Sequence, residues 1–193
     1  MSVKKIAILF SGNGSNLENI LKKVHNKTFN GVTIKCDLLI CNNPDAFGIQ
    51  RAEKFGLKTV VINHKEFKTR EDFDGKIVSL IQEKNIDLTI LAGFMRILTP
   101  IFTKNIKAIN LHPSILPLFK GGNAIKESFN SDMLVGGVSV HFVSEELDGG
   151  KLINQLVFYR KKGMSLEEWE ENIHKLEYEI LPKTIIELLA FSN

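Results

Sequence analysis

Short apolar runs alternate along this chain with stretches whose apolar residues recur every three or four positions. Ile6-Ala7-Ile8-Leu9-Phe10 is a continuous run, as expected of a strand buried on both faces. Beyond a glycine-rich turn, Leu17, Ile20, Leu21 and Val24 follow at helical spacing. Residues 32–41 give a second strand, 46–55 a helix closed by Gly56, and 59–62 a third strand. An amphipathic helix over 72–83 turns Ile77, Leu80 and Ile81 inward, and strands follow at 88–91 and 108–111.

The pattern changes in the second half. Lys120-Gly121-Gly122-Asn123 is a loop leading into a short helix that ends at Asn130. Residues 136–143 alternate, with Val138, Val140 and Phe142 on one face, which predicts an antiparallel or edge strand. An acidic loop over 144–150 precedes a returning strand at 152–159. Ser165-Leu166-Glu167-Glu168 is a capping box opening the last helix. That helix turns Leu166, Trp169, Ile173, Leu176 and Ile180 inward, and Pro182 is expected to kink or break it. Strands and helices in this rhythm predict an α/β fold. The expected form is a Rossmann-like three-layer sandwich, with a mostly parallel sheet, helices on both faces and an antiparallel C-terminal part.

A chain of 193 residues suits one domain spanning 1–193. The net charge of +3 favours small anionic substrates, but the basic residues stand in separate pairs and triplets such as Lys22-Lys23 and Arg160-Lys161-Lys162. That scatter argues against a nucleic-acid partner. Cys36 and Cys41 lie in an apolar run without clustered His, so no metal is expected. No apolar run approaches the roughly 18 residues of a membrane span, and Met1-Ser2-Val3-Lys4-Lys5 lacks a signal-peptide layout. A cytoplasmic protein is expected.

Three segments carry candidate chemistry. Ser11-Gly12-Asn13-Gly14-Ser15-Asn16 joins a strand to a helix, where free N–H groups and the helix dipole can meet an anion. Leu17 replaces the third glycine of a dinucleotide fingerprint, and no Gly-Lys-Ser/Thr follows, so a single phosphate fits better. The same residues also suit a plain capped turn. Asn110 and His112, two apart at a strand end, point the same way, and Pro113 keeps His112 extended. A carbonyl between them would find an oxyanion donor and an acid/base, although a strand-end His can also be satisfied by a backbone carbonyl. Asp148, before two glycines, could reach His112 and raise its pKa, or could be a simple turn residue. His64 reads as a surface residue, and His25, His141 and His174 as structural.

These segments occur in an order that, with Leu91-Ala92-Gly93-Phe94-Met95-Arg96-Ile97-Leu98, resembles the phosphoribosylglycinamide formyltransferases. The resemblance runs from Ile6 to about Pro182. The Asn-x-His-Pro-Ser motif and the later Asp are shared by all 10-formyltetrahydrofolate-dependent transferases of this fold, and the glycine turn is the more specific part. The resemblance implies transfer of a formyl group from the co-substrate 10-formyltetrahydrofolate to glycinamide ribonucleotide, without a metal. It implies that Asn110, His112 and Asp148 are catalytic. Gly14, Ser15, Asn16 and Glu177 would bind the nucleotide. Arg70, Met95, Arg96, Ile97, Leu98, Asn110, Ser144 and Asp148 would bind the folate. The molecule would be a monomer or homodimer. One departure stands out: Lys120-Gly121-Gly122-Asn123 carries Asn123 where many members have His, so no role follows for that loop.

Rival readings change the acceptor or remove catalysis. A methionyl-tRNA formyltransferase is expected to carry an added C-terminal nucleic-acid-binding domain, and a formyltetrahydrofolate hydrolase an N-terminal regulatory domain. A nucleotide-binding module without catalysis would leave Asn110, His112 and Asp148 without a purpose.

Overall fold

The computed structural model describes residues 2–191. The first residue and last two of the expected 1–193 domain lie outside the described residues. Eight strands form one sheet: β1 (Ser2–Phe10), β2 (Lys27–Phe29), β3 (Val32–Cys41), β4 (Thr59–Val61), β5 (Leu88–Leu91), β6 (Ala108–His112), β7 (Val135–Phe142) and β8 (Leu152–Tyr159). Their order is β2-β3-β1-β5-β6-β7-β8, with β4 also paired to β3. Strands β1, β3, β4, β5 and β6 run parallel, while β7 and β8 continue the sheet antiparallel. The six α-helices among the described residues are α1 (Ser15–Lys23), α2 (Phe47–Glu53), α3 (Arg70–Glu83), α4 (Pro100–Thr103), α5 (Ala124–Asn130) and α6 (Leu166–Ile186).

Strand β1 shows why the sheet is covered twice. Ile6, Ile8 and Phe10 pack on one face with Leu17 and Ile20 of α1 and Trp169 and Ile173 of α6. Ala7 and Leu9 pack on the other face with Phe73, Ile77 and Ile81 of α3 and Phe102 of α4. A strand with no polar residue from Ile6 to Phe10 can only be buried on both sides, and each large aliphatic side chain so buried contributes roughly 1.5–3 kcal/mol.

Packing under α6 is tight. A Cβ at Gly136 would lie 2.5 Å from Trp169 Cζ2 and 2.6 Å from Phe158 Cζ. Gly136→Ala is therefore expected to destabilise the fold by about 1–3 kcal/mol through overpacking, as a lower urea midpoint at unchanged slope.

Pro182 neither breaks nor ends α6, which runs to Ile186. Proline removes the N–H that would bond the carbonyl four residues back. That carbonyl, of Tyr178, instead accepts from Asn19 Nδ2 at 2.9 Å and Lys23 Nζ at 2.8 Å, both on α1. The contact satisfies the orphaned carbonyl and fastens α6 to α1.

Candidate active site

Strand β6 ends with its side chains sorted by alternation. Ile109 and Leu111 enter the core on the α1/α6 face, and Ala108 enters the core on the α3/α4 face. Asn110 and His112 share the parity of Ala108 and line one cleft. Antiparallel pairing sets His141 of β7 opposite Asn110, and Ser139 opposite His112. The loop after β7 then brings Asp148 back to the same place. Gly150 makes that return possible, because a Cβ there would lie 1.7 Å from the Phe142 carbonyl oxygen.

Asp148 is the hub. Its Oδ2 lies 3.4 Å from His112 Nδ1 and accepts the Gly121 N–H at 2.8 Å. Its Oδ1 accepts from Asn110 Nδ2 at 3.4 Å and lies 3.6 Å from His141 Nε2. Burial works against ionisation of this carboxylate, but the His141 and Gly121 hydrogen bonds and the charges of His112 and His141 outweigh it. Its pKa therefore falls below the usual carboxylate range.

The ring protons follow from the acceptors. His112 Nε2 lies 2.7 Å from the Phe119 carbonyl, which can only accept, so Nε2 carries a proton. Nδ1 is then the atom that can gain or yield a proton, beside Asp148. Phe119 holds a left-handed backbone, φ 55°, an uncommon state for a bulky residue, at the point where its carbonyl meets His112. The Lys120–Asn123 loop, to which no role was assigned, therefore touches Asp148 through Gly121 directly after the Phe119 contact with His112, and Lys120 pairs with Glu146 at 2.6 Å. His141, read from sequence as structural, is a member of the cluster: Nδ1–H donates to the Phe142 carbonyl at 2.9 Å and Nε2 faces Asn110 Nδ2 at 3.2 Å. Its signal was the register with Asn110, visible only once β6 and β7 are paired.

The cleft has a volume of about 450 Å³. Met95, Arg96, Ile97 and Leu98 line it, as do Ser144 and Asp148. Met95 and Ile97 are 69% and 58% exposed, an apolar lip suited to a flat ring. Both ends of this loop are pinned. The Met95 N–H donates to Ser11 Oγ at 2.8 Å, and the Thr99 N–H donates to the Asp74 carboxylate at 2.6 Å. Burial raises the Asp74 pKa against the opposing pull of that Thr99 N–H bond. Arg70 lies in the first turn of α3, exposed, and is not among the residues lining the cleft.

Ser11 to Asn16 line a second, smaller pocket with Ala92, Gly93 and Met95, and Asn16 lines both. Gly14 has φ 72°, and a Cβ there would lie 2.5 Å from Gly48 Cα. Only glycine fits that combination. Asn16 Nδ2 donates to Glu177 Oε2 at 3.1 Å, while buried Asn16 Oδ1 has no hydrogen-bond partner among the described residues. Glu177 lines the cleft from α6 and accepts from His174 Nδ1 at 2.9 Å. That hydrogen bond raises the His174 pKa against partial burial. The pair's contribution to stability is present below the unfolded value, about 6.5, and is lost as pH rises through the higher folded value. Glu177→Gln is expected to move the His174 titration to lower pH, as read from its ring protons by NMR.

Among the described residues no group of three or more His, Cys, Asp or Glu side chains could hold a metal ion. No helix among them is long and apolar enough to cross a membrane.

Residues 4–185 match the formyl transferase family. The chain belongs to that family. Among formyl transferases, it is 34% identical over 193 residues to the phosphoribosylglycinamide formyltransferase of Bacillus subtilis, covering 99% of this chain and 97% of the relative. It is 37% identical over 183 residues to the human trifunctional purine biosynthetic protein adenosine-3, covering 94% of this chain and 18% of that longer protein. The crystal structure of phosphoribosylglycinamide formyltransferase from Campylobacter jejuni superposes with a TM-score of 0.95 at 64% identity, covering 98% of each chain.

Proposed function

We propose that this formyl transferase moves the formyl group of 10-formyltetrahydrofolate to the amine of glycinamide ribonucleotide. The products are formylglycinamide ribonucleotide and tetrahydrofolate, in de novo purine biosynthesis. The observation that carries this reading is the Asn110–His112–Asp148 cluster, with His112 buried and the other two half-buried, in the cleft whose neighbour is the glycine-turn pocket. Asn16 lines both spaces, which supports an anion site adjoining the reacting centre.

The residues fit the ligands. The apolar lip of Met95 and Ile97 suits a pterin-like ring, with Arg96, Leu98, Ser144, Asn110 and Asp148 around it. Arg70 serves the folate from outside the cleft. Gly14, Ser15 and Asn16 take the phosphate, and Glu177 accepts from hydroxyl groups of the nucleotide. The orphaned Asn16 Oδ1 supplies a further acceptor.

The bound folate supplies an electrophilic formyl carbon. As the substrate amine attacks it, charge builds on the formyl oxygen. The Asn110 amide, held only by long contacts of 3.2 and 3.4 Å, is free to turn an N–H toward that charge. His112, protonated at Nδ1, would be a second donor, and each such donor is worth about 3–4 kcal/mol of barrier. The Asp148 carboxylate balances the His112 charge and accepts the proton lost by the amine, directly or through water. The adduct then collapses as the bond from the formyl carbon to folate N10 breaks, and that proton passes to N10 so that tetrahydrofolate leaves.

In this reading residues 1–193 act as one domain, in the cytoplasm, as a monomer or homodimer, without metal or nucleic-acid partner. Mixing the protein with formylfolate and glycinamide ribonucleotide, and following folate absorbance, tests it. Turnover that requires both compounds supports it, and absence of turnover overturns it.

A further inference from the structure

We infer that Arg51 is a positioning residue for the anion turn: it aims the Gly14 N–H at the substrate phosphate by holding the other side of the same peptide plane. The inference rests on the reading of Ser11 to Asn16 as the phosphate site.

The glycine turn has no regular hydrogen-bond ladder of its own, and its carbonyls must be held for its N–H groups to face one way. Arg51 of α2 donates Nε–H to the Asn13 carbonyl at 2.9 Å and an Nη2 hydrogen to Asn13 Oδ1 at 3.2 Å. The Asn13–Gly14 peptide is trans, since the only cis bond among the described residues is Leu116–Pro117. In a planar trans peptide the C=O and the following N–H point in opposite directions. Fixing the Asn13 carbonyl toward Arg51 therefore fixes the Gly14 N–H away from it. The neighbouring peptide is held the same way, because the Gly48 N–H, also on α2, donates to the Gly12 carbonyl at 3.1 Å.

Arg51 is itself held from two further sides. Its Nη1 pairs with Glu18 of α1, and its guanidinium lies 4.9 Å from the centre of the Phe47 ring. One planar fork thus spans the turn, the helix that follows it and the helix behind it. Lysine, a point charge with no fork, cannot make these contacts together. Helix α2 reaches the turn only because residue 48 is glycine: a Cβ there would lie 2.5 Å from the Phe10 ring and 3.2 Å from the Gly12 carbonyl oxygen. Arg51 is not among the residues lining the turn pocket, so its effect on the phosphate passes through the backbone.

The test compares the wild-type protein with Arg51→Ala and Arg51→Lys. Inorganic phosphate is titrated against the Gly14 amide by 15N NMR, and steady-state kinetics are measured with glycinamide ribonucleotide and with its dephosphorylated riboside. Both variants are expected to need about tenfold more phosphate to shift Gly14, the scale of one or two lost hydrogen bonds. KM for the nucleotide should rise by a similar factor. Its kcat, the KM for formylfolate and the rate with the riboside should stay within about twofold. Arg51→Lys changes packing least and keeps the test open should Arg51→Ala fold poorly.

A wild-type response to phosphate that both variants retain overturns the role of Arg51 alone. Full recovery in Arg51→Lys also overturns it, because charge rather than the fork would then suffice. Equal losses with nucleotide and riboside would mean a general structural effect and overturn it as well. No Gly14 response in the wild-type protein overturns the phosphate reading together with this role.

Discussion

Asp148→Asn is expected to lower kcat for formyl transfer by about 10²–10⁴, the usual scale for a group that moves protons. The change keeps the shape: an Asn carbonyl oxygen can still accept the Gly121 N–H that Oδ2 takes at 2.8 Å. What goes is the charge beside His112 Nδ1, 3.4 Å away, and the acceptor for the amine proton. Dissociation constants for folate and nucleotide should change far less, because the lost interactions strengthen only as charge develops. The pH dependence has a definite sign. The folded Asp148 pKa is depressed, so its contribution to stability is present above about pH 3.9 and is lost as pH falls through the lower folded value. Any loss of rate between pH 4 and 7 should therefore not come from protonation of Asp148 itself. Turnover of the variant within a few-fold of wild type would remove Asp148 from the chemistry.

Asn110→Ala should cost about 10²–10³ in kcat, the loss seen when one oxyanion donor is removed. The substitution also takes a partner from His141 Nε2, at 3.2 Å, and from Asp148 Oδ1, at 3.4 Å. The two variants should therefore not combine independently. Asn110→Ala with Asp148→Asn is expected to fall well short of the product of the single losses, because residues acting as a unit are non-additive. Steady-state rates of the four proteins measure this directly. A double variant whose loss equals the product would mean that the two side chains act at separate steps.

The parts of this molecule that depend on local pattern were legible in the sequence. Strand β3 spans Val32–Cys41 as its apolar run predicts, and β6 continues to His112 as Pro113 requires. Two small elements, β2 and α4, were missed. β2, of three residues, forms through pairing with β3, across Asn30 and Gly31, both at positive φ. That Asn-Gly pair was a hairpin signal in the sequence. The four-residue α4 carries one buried anchor, Phe102, too short a pattern to show a period.

Errors arose where a distant partner overrides a local rule. Pro182 should interrupt a helix, but side chains on α1 satisfy the carbonyl it orphans. His141 looked structural until its register opposite Asn110 was known. Phe119 and Gly121 meet His112 and Asp148 through backbone atoms, which no side-chain motif can display. Arg51 is of the same kind, acting on the glycine turn through the Asn13 carbonyl. The Asn110–His112 spacing was readable because strand alternation is local. That Asp148 reaches His112 was one of two open readings, and spacing alone could not decide it, because the approach depends on a loop return that needs glycine at position 150.

The most direct measurement follows the formyl carbon itself. Formylfolate carrying 13C in its formyl group is mixed with glycinamide ribonucleotide and the protein, and the label is traced by NMR. Direct formyl transfer predicts that the label appears in the formamide of the nucleotide, at a rate that falls together with kcat in Asp148→Asn. Label released as free formate, or label that stays on the folate while the nucleotide is present in excess, would contradict it.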